Sequence, residues 1–332
     1  MKVLHTIGRR IICCMMVFSF IISGYAFENT TSLSQRSMLE EIGLSDAIID
    51  VMPTEDILQL LSIYQECPEK LHVYSSKVIF NPLEKIAEYM SMSNNEKLKS
   101  GLTEDDILQV NQQILELQEM SDEDLISLGV PENEVNMYRQ TLQSGIVPYG
   151  QGDITSSEMD FSLVAYDTPD SEGPSIQAFV YFNWIKPFVL REFRDKIIVA
   201  WGGNLAFESY SAAVTYKVYS GGNWGAVSST QQVDYYADLS NINGSGYYLF
   251  DQSDNISNRA QYGRFAFSLE QRGYENKYTN LIVQYAHQVF AITGGSVGIS
   301  VDIFEREAEV NVSLDVSSAY DTSPQRPHKF LY

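Results

Sequence analysis

The sequence predicts an α+β protein, in which a helical N-terminal region at residues 27–145 precedes an antiparallel β-sandwich domain at residues 158–320. Before residue 145 the apolar residues recur about every 3.6 positions, and after residue 158 they recur at every second position. The segment between them, residues 146–157, contains Pro148, Gly150 and Gly152 and is predicted to be a linker. Residues 321–332 are predicted to be a C-terminal tail.

The first 26 residues have the features of a secretory signal peptide. Lys2, Arg9 and Arg10 precede an apolar run at residues 11–22, and small residues stand at the cleavage positions, which predicts cleavage after Ala26. The run is shorter than the roughly 20 residues that span a bilayer. We therefore expect a secreted, extracellular protein without integral membrane association.

The acidic charge of the chain makes one class of partner, nucleic acid, unfavourable. The net charge is −21, and without the three basic residues of the signal peptide 19 Lys and Arg face 43 Asp and Glu, a net charge of −24. Such a chain repels phosphate backbones, so nucleic acid is not an expected partner.

Cys13 and Cys14 lie in the predicted signal peptide, which leaves Cys67 without a disulfide partner in the mature chain.

Helix start signals precede the helical stripes. Each combines a hydroxyl residue with following carboxylates, and they lie at residues 54–56, 103–106 and 121–124. The hydroxyl oxygen can accept from free backbone N–H groups, and the carboxylates favour the positive end of a helix. Capping explains these acidic clusters more simply than metal binding. Gly43 before Ser45, and Gly129 before Pro131, further predict two helical hairpins.

Strands are predicted from period-two alternation after the linker. Alternate residues of the best example, Ile176, Ala178, Val180, Phe182 and Trp184, would line one face of a sheet. Near the end of the chain the apolar phase changes from odd positions at 297–303 to even positions at 310–316. A period of two changes phase only through a bulge or a turn. We expect a bulge, because residues 304–307 contain no Gly, Pro or Asn for a tight hairpin.

Motifs for catalysis or metal binding have weak support. Residues 294–298 match the G-x-S-x-G pattern around Ser296, but a strand-like run follows where a hydrolase has a helix, so a hairpin turn is expected. His287 lies in an apolar run and is expected to be a core histidine. The acidic loops 167–173 and 251–255 could hold calcium but lack EF-hand spacing. We therefore expect no cofactor.

Aromatic residues are concentrated after the linker. All three tryptophans lie there, as do the doublets Tyr235-Tyr236 and Tyr247-Tyr248. Neighbouring strand residues point to opposite faces, so each doublet should offer one ring to the core and one to the outside. Exposed rings can stack on sugars or form a protein interface, whereas buried rings pair across strands. The candidate ligand-binding residues are Trp184, Trp201, Trp224, Tyr235 and Tyr247.

Two stretches of the β region, residues 182–187 (FNWIKP) and 194–202 (RDKIIVAWG), resemble a segment of uncharacterised secreted proteins of Gram-positive bacteria. The helical segment 125–139 resembles one that precedes it in those proteins. The resemblance implies export and a β-rich C-terminal half, and it assigns no functional residue.

The predicted function is that of a secreted, non-catalytic recognition protein that binds a glycan or a protein through the aromatic β domain. A secreted hydrolase with an unlocated site is the alternative. A pore-forming β protein is a remote third reading, suggested by the alternation at residues 297–316. The phase change argues against it, because a lipid-facing stripe would cross to the lumen side midway.

Overall fold

A computed structural model describes residues 31–331 except 128–129, 131, 149–156, 171–172, 188–192, 203–204, 221–222, 238–243, 254–257, 272–277, 291–298, 307–308 and 317–319. It confirms the predicted fold class: helices come first, and two antiparallel sheets follow. The predicted signal peptide, Ser296 and most of the predicted linker lie outside the described residues, and the predicted domain boundaries remain predictions.

The helices of the described part are α1 (Leu33–Glu41), α2 (Asp46–Ile49), α3 (Thr54–Glu66), α4 (Pro82–Ser91), α5 (Asn94–Lys99), α6 (Glu104–Glu119), α7 (Asp122–Ser127) and α8 (Val135–Ser144), with 3-10 turns at Pro68–Lys70 and Glu132–Glu134. The strands described are β1 (Leu71–Phe80), β2 (Ser157–Asp170), β3 (Gly173–Lys186), β4 (Arg194–Trp201), β5 (Leu205–Ser220), β6 (Asn223–Gln232), β7 (Tyr235–Ala237), β8 (Ser245–Asp251), β9 (Asn258–Gln271), β10 (Tyr278–Gln288), β11 (Ile299–Arg306), β12 (Glu309–Val316), β13 (Tyr320–Thr322) and β14 (Arg326–Leu331).

The strands form two sheets. Sheet A has the order β1-β2-β3-β9-β5-β6, and β6 is its edge strand opposite β1. Sheet B has the order β11-β12-β10-β4-β8-β7, and β13 and β14 also pair with β10. The pairings are antiparallel except for two residues of β10 beside β12. Among the described strands, β6 and β7 are consecutive in the chain and form the ends of their two sheets.

The main core lies between the two sheets. On β3 the alternate residues predicted to share one face, including Val180 and Phe182, are buried in it, together with Ile197 and Val199 of β4. The intervening β3 residues Phe179 and Tyr181 are buried on the other side of sheet A. Both faces of these strands therefore exclude water.

Helices cover the outer face of each sheet. Leu39 of α1, Ile48 of α2 and Leu60 of α3 pack on the outer face of sheet A, against Val164, Tyr166, Phe179 and Tyr181. Ile86 of α4, Val110 of α6 and Leu142 of α8 pack on sheet B, against Ile198, Ala200, Ile282 and Ala286. The helical region thus shares buried apolar side chains with both sheets, which stabilises the helices far more than their intrinsic propensity does.

One strand lies within the range predicted to be helical. β1 pairs antiparallel with β2 along its whole length, from Leu71 opposite Tyr166 to Phe80 opposite Ser157. Only Val78 and Phe80 of β1 are fully buried, because β1 is an edge strand and its outer face is only partly covered. Its alternation is therefore too short to stand out in the sequence. The helical prediction was wrong here.

The phase change near the end of the chain is a hairpin, so the predicted bulge was wrong. β11 and β12 pair antiparallel from Ile299 opposite Val316 to Arg306 opposite Glu309. Residues directly opposite each other share a face of the sheet. Odd positions of β11 therefore meet even positions of β12, which is the phase relation in the sequence.

The predicted C-terminal tail contains strands. β13 and β14 pair antiparallel with β10, Ala286 opposite Thr322 and Leu281 opposite His328. Their backbone groups satisfy the side of β10 that faces away from β4. The sequence did not predict these two strands, because hydrogen bonding to a neighbouring strand needs no apolar period in a segment this short.

Helix capping is confirmed at two of the three predicted starts. Thr103 and Asp106 form a reciprocal capping box at α6, and Ser121 and Asp124 form the same bonds at α7. At α3 the N-cap is Pro53, and it makes no side-chain cap. Asp56, predicted to support that helix start, is instead buried against sheet A.

Candidate functional site

Trp184 lies in the core between the sheets. Its side chain is 3% exposed, its ring packs near those of Phe80 and His287, and its indole N–H donates to the Tyr285 hydroxyl over 3.2 Å. A ring in this position cannot touch a ligand outside the sandwich. Its inclusion among the candidate binding residues is corrected here, because its strand faces the second sheet and not solvent.

Trp201 is buried in the same core, also at 3% exposure. Its indole N–H donates to the carbonyl of Leu205 over 3.1 Å, and its ring stacks on Phe207. Gly244, with φ of +96°, lies against the indole so closely that a Cβ there would overlap it. The ring is thus held on several sides, and Trp201 is likewise removed from the binding candidates.

Asp195 and His287 form a buried carboxylate–imidazole pair between the sheets. Imidazole Nδ1 lies 3.2 Å from Asp195 Oδ1, and the two side chains are 0% and 3% exposed. The carboxylate also accepts from the Tyr285 hydroxyl, the Gln252 amide and the backbone N–H of Gln288. His287 is buried as predicted. The carboxylate is occupied by structural hydrogen bonds, and no reacting group has access to it here.

No metal centre is evident in the part of the chain that the structure describes. Among these residues, no group of three or more His, Cys, Asp or Glu side chains is placed to hold a metal ion. Of the two acidic loops considered for calcium, Asp251 pairs with Arg194 over 3.2 Å, and residues 254–255 lie outside the description. No described helix is long and apolar enough to cross a bilayer.

The remaining three candidates lie along one side of the sandwich, where β6 ends sheet A and β7 ends sheet B. We call this side the β6–β7 edge and define it by β6, β7 and the rings of Tyr219 and Tyr247 beside them. Only Val233 and Asp234 separate β6 from β7, so the chain passes directly from one sheet to the other. Val233 is buried in the core and fixes that crossing.

The β7 end of the edge carries a stacked pair of tyrosines. Tyr236 lies opposite Tyr247 of β8, with ring centroids 5.5 Å apart and planes at 18°. Tyr236 is 46% exposed, and Tyr247 is half-buried because it packs on the outer face of sheet B. The expectation for the doublets is met here, since their partners Tyr235 and Tyr248 point inward toward the core.

This geometry changes the choice within one doublet. Tyr235 stacks flat on Phe207 at 4.1 Å and packs against the main core. Tyr236, which was not among the predicted candidates, is the ring that faces solvent. The alternation identified that one ring of the doublet is exposed, but it did not identify which one.

The opposite end of the edge carries a second aromatic pair. Trp224 lies directly opposite Tyr219 of β5, and their ring centroids are 4.8 Å apart. The indole N–H of Trp224 donates to the Ile185 carbonyl over 3.2 Å, which holds the ring in place. Trp224 keeps a solvent-facing part while packing on the end of the core. Trp224 therefore stays a candidate, and Tyr219 joins it.

The strand between these pairs is exposed and uncharged. β6 reads NWGAVSSTQQ, and eight of its ten residues are exposed. From Asn223 to Ala237 the only charged residue is Asp234, although one residue in five of the whole chain is charged. Hydroxyl and amide side chains dominate this surface, in an otherwise strongly acidic protein.

No protein-family profile and no curated protein matches the chain. Solved structures give weak likenesses. The C-terminal domain of the AgI/II polypeptide BspA of Streptococcus agalactiae has 6% identity and a TM-score of 0.26, covering 39% of this chain and 53% of that one. The chain thus matches about half the length of that domain.

Two further structures are similar at the same low level. One concerns pH-induced modulation of Streptococcus parasanguinis adhesion by Fap1 fimbriae, with 9% identity, a TM-score of 0.23, and coverage of 51% and 78% of the two chains. The other is described as a pore forming protein, with 9% identity, a TM-score of 0.20, and coverage of 54% and 92%. Adhesin-like domains of Gram-positive surface proteins are thus among the weak neighbours, and scores this far below 0.5 assign no function.

Proposed function

We propose that this is a non-catalytic extracellular recognition protein that binds an extended, neutral glycan along the β6–β7 edge. The observation that carries the proposal is the placement of two partly exposed aromatic pairs at the two ends of the β6–β7 edge, with the uncharged strand β6 between them. The extracellular location rests on the signal peptide predicted at residues 1–26.

The spacing of the two pairs favours an elongated ligand. Trp224 is eight residues from Gln232, which corresponds to about 26 Å of strand at 3.3 Å per residue. Tyrosine and tryptophan rings present an apolar face with a polar tip, which suits the alternating C–H and O–H surfaces of a sugar. A polymer several sugar units long would reach from one pair to the other.

The chemistry of the strand favours a neutral ligand. Gln231 and Gln232 are exposed and offer amide groups that both donate and accept hydrogen bonds. The hydroxyls of Ser228 and Thr230 are uncharged as well, and they already bond to the Tyr216 carbonyl and the Thr215 hydroxyl. An anionic polymer would be repelled by the net charge of −21, and a cationic one would find no row of carboxylates on β6. A neutral polysaccharide is not repelled by the acidic charge, and its binding does not depend on carboxylates.

The direct experiment is binding of the purified protein to insoluble cell-wall glycans, followed by titration with neutral oligosaccharides of increasing length. Tyr236→Ala and Trp224→Ala should each weaken binding about tenfold, equivalent to 1.4 kcal/mol. In the unsubstituted protein, affinity should rise with oligosaccharide length until both pairs are engaged. In either variant that length dependence should be lost.

Tyr74→Ala is the matched control. Tyr74 is 36% exposed and lies on β1, the opposite edge of sheet A. Its removal should leave glycan binding unchanged. Equal binding by all three variants would refute the proposal. Capture of a protein, with no glycan bound, would show that the edge is a protein interface instead.

A further inference from the structure

A pocket of about 300 Å³ lies among α4, α5 and α6, in the helical layer that covers sheet B. Its polar lining is formed by Lys97, Asn111 and Gln118. Its apolar lining is formed by Met90, Ile114 and Leu115, together with the ring of Tyr89. This volume is at the lower end of the range for small-molecule sites. The pocket is separate from the β6–β7 edge.

Lys97 is an isolated cation in this pocket. Its side chain is 6% exposed, and Nζ lies 4.0 Å from the ring centroid of Tyr89. No carboxylate oxygen of the described residues is within 4.0 Å of Nζ. Burial alone lowers the pKa of Lys97, with no opposing contribution from a nearby acid. A buried charge is costly without a counter-charge, and this chain has 43 acidic residues that could have provided one.

A second donor lies against the same tyrosine. The Tyr89 hydroxyl lies 3.2 Å from Asn111 Oδ1 and 3.3 Å from the Ile107 carbonyl oxygen, so its one proton is shared between two acceptors. Among the described residues the amide N–H₂ of Asn111 makes no hydrogen bond, so it can donate to a ligand. The amide N–H₂ of Gln118 already donates to the Leu142 carbonyl. One cation and one amide donor thus adjoin an apolar wall.

We propose that this pocket binds a small organic carboxylate, with its carboxylate group on Lys97 and Asn111 and its apolar body against Met90, Ile114 and Leu115. Such a ligand supplies the counter-charge that Lys97 lacks and fills the apolar part of the cavity. The carboxylate has two oxygens for the two donors. An inorganic anion would leave the apolar wall uncovered.

The probe is sodium hexanoate, titrated into the full chain and followed by calorimetry, with 1-hexanol as the uncharged analogue of equal length. Hexanoate should bind and raise the melting temperature, while hexanol should bind at least tenfold more weakly. Lys97→Met should reduce hexanoate affinity between about tenfold and a hundredfold, the effect of losing a hydrogen bond to a charged group. Asn111→Ala should reduce it severalfold.

Lys99→Met is the matched control, because Lys99 lies exposed on the same helix two residues away. It should bind hexanoate like the unsubstituted protein. Lys97→Met should fold at least as stably as the parent, since it removes a poorly solvated charge, and Lys97→Gln provides a second variant. Unchanged affinity in both Lys97 variants, or no binding of hexanoate by the parent, would overturn the proposal. The glycan experiment is unaffected by either result.

Discussion

Asp56 on α3 and Arg264 on β9, which are 208 residues apart in the chain, form a bidentate ion pair with N–O distances of 2.5 and 2.8 Å. Asp56 is 2% exposed and also accepts from the Tyr181 hydroxyl over 2.6 Å. This triad fixes the first helical layer to the outer face of sheet A. Burial, followed by the charge of Asp56, raises the pKa of Tyr181 well above its usual range, so its hydroxyl stays a donor.

Asp56→Ala should therefore be strongly destabilising. It leaves a buried guanidinium and a buried hydroxyl without their acceptor, and breaking a buried pair in this way costs about 3–5 kcal/mol. Urea unfolding measures the change. The double variant Asp56→Leu with Arg264→Met should recover much of the loss, because an apolar pair of similar volume carries no desolvation penalty.

Asp50→Ala provides the control for that measurement. Asp50 pairs with Arg36 over 2.7 Å, but its side chain is 61% exposed. Exposed pairs contribute about 0–1 kcal/mol, so its loss should be small. Equal effects of the two alanine substitutions would contradict the role given to Asp56.

Asp195→Ala should also destabilise the protein, through the core between the sheets. The Gln288 N–H, the Tyr285 hydroxyl and the Gln252 amide all donate to this carboxylate. Each buried donor left unpaired costs about 1–3 kcal/mol, so the total should reach several kcal/mol in chemical denaturation. Asp195→Asn should also destabilise, because it places an amide donor among donors.

The matched control for Asp195 is Asp251→Ala. Asp251 lies on β8, beside β4, and forms an ion pair with Arg194. The side chain of Asp251 is 62% exposed. Its removal should change the free energy of unfolding by less than about 1 kcal/mol. A small effect at Asp195, comparable with that at Asp251, would mean that the buried hydrogen bonds do not hold the sheets together.

Lys196→Met should stabilise the protein in a pH-dependent manner. Lys196 is 2% exposed, and its Nζ lies 4.5 Å from the ring centroid of Tyr247 and 5.4 Å from that of Tyr320. Burial, and secondarily the charge of Arg194, lowers its pKa from 10.5 to about 7. The folded state thus binds its proton less tightly than the unfolded state.

The sign of the pH effect follows from these two pKa values. Below about pH 7 both states carry the proton, so the folded state bears the full cost of the buried charge. Between about pH 7 and about pH 10.5 the folded state has lost this proton and the unfolded state still holds it, so folding must release the proton. The cost of that release falls as the pH rises and disappears above about pH 10.5. The gain from Lys196→Met, on the order of a few kcal/mol, should be largest near pH 6 and much smaller near pH 10. A gain independent of pH in thermal or urea unfolding would contradict this account, and Lys99→Met should show no gain.

The sequence predicted correctly those features that depend only on neighbouring residues, namely helix caps, strand faces and a helix-ending glycine. The capping boxes at Thr103 and Ser121 were readable because a hydroxyl and a carboxylate three residues apart satisfy each other's backbone. The faces of β3 were readable because neighbouring strand residues alternate. The left-handed Gly43, with φ of +100°, ended α1 as predicted because glycine has no Cβ to strain that conformation.

Features that depend on residues distant in the sequence were predicted wrongly or were not predicted. Asp56 has the sequence context of a helix start, and only the position of Arg264 makes it the anchor of a helix on a sheet. The odd-to-even phase change suits a bulge or a hairpin equally, and the pairing of β11 with β12 decided it. Lys97 gave no signal at all in the sequence, because its isolation depends on which side chains surround it.

By itself, the sequence determined the acidic charge and the concentration of aromatic residues in the β half, since these follow from composition. It also predicted an export signal, and its periods of 3.6 and 2 indicated a helical region followed by two-period strands. The tertiary structure alone decided which rings are exposed. Trp184 and Trp201 became core because the second sheet and Gly244 lie against them, while Tyr236 and Trp224 stayed at the surface because β6 and β7 end their sheets. An apolar period shows that a residue has a buried side, but it carries no information on what covers each face, which depends on contacts between residues distant in sequence.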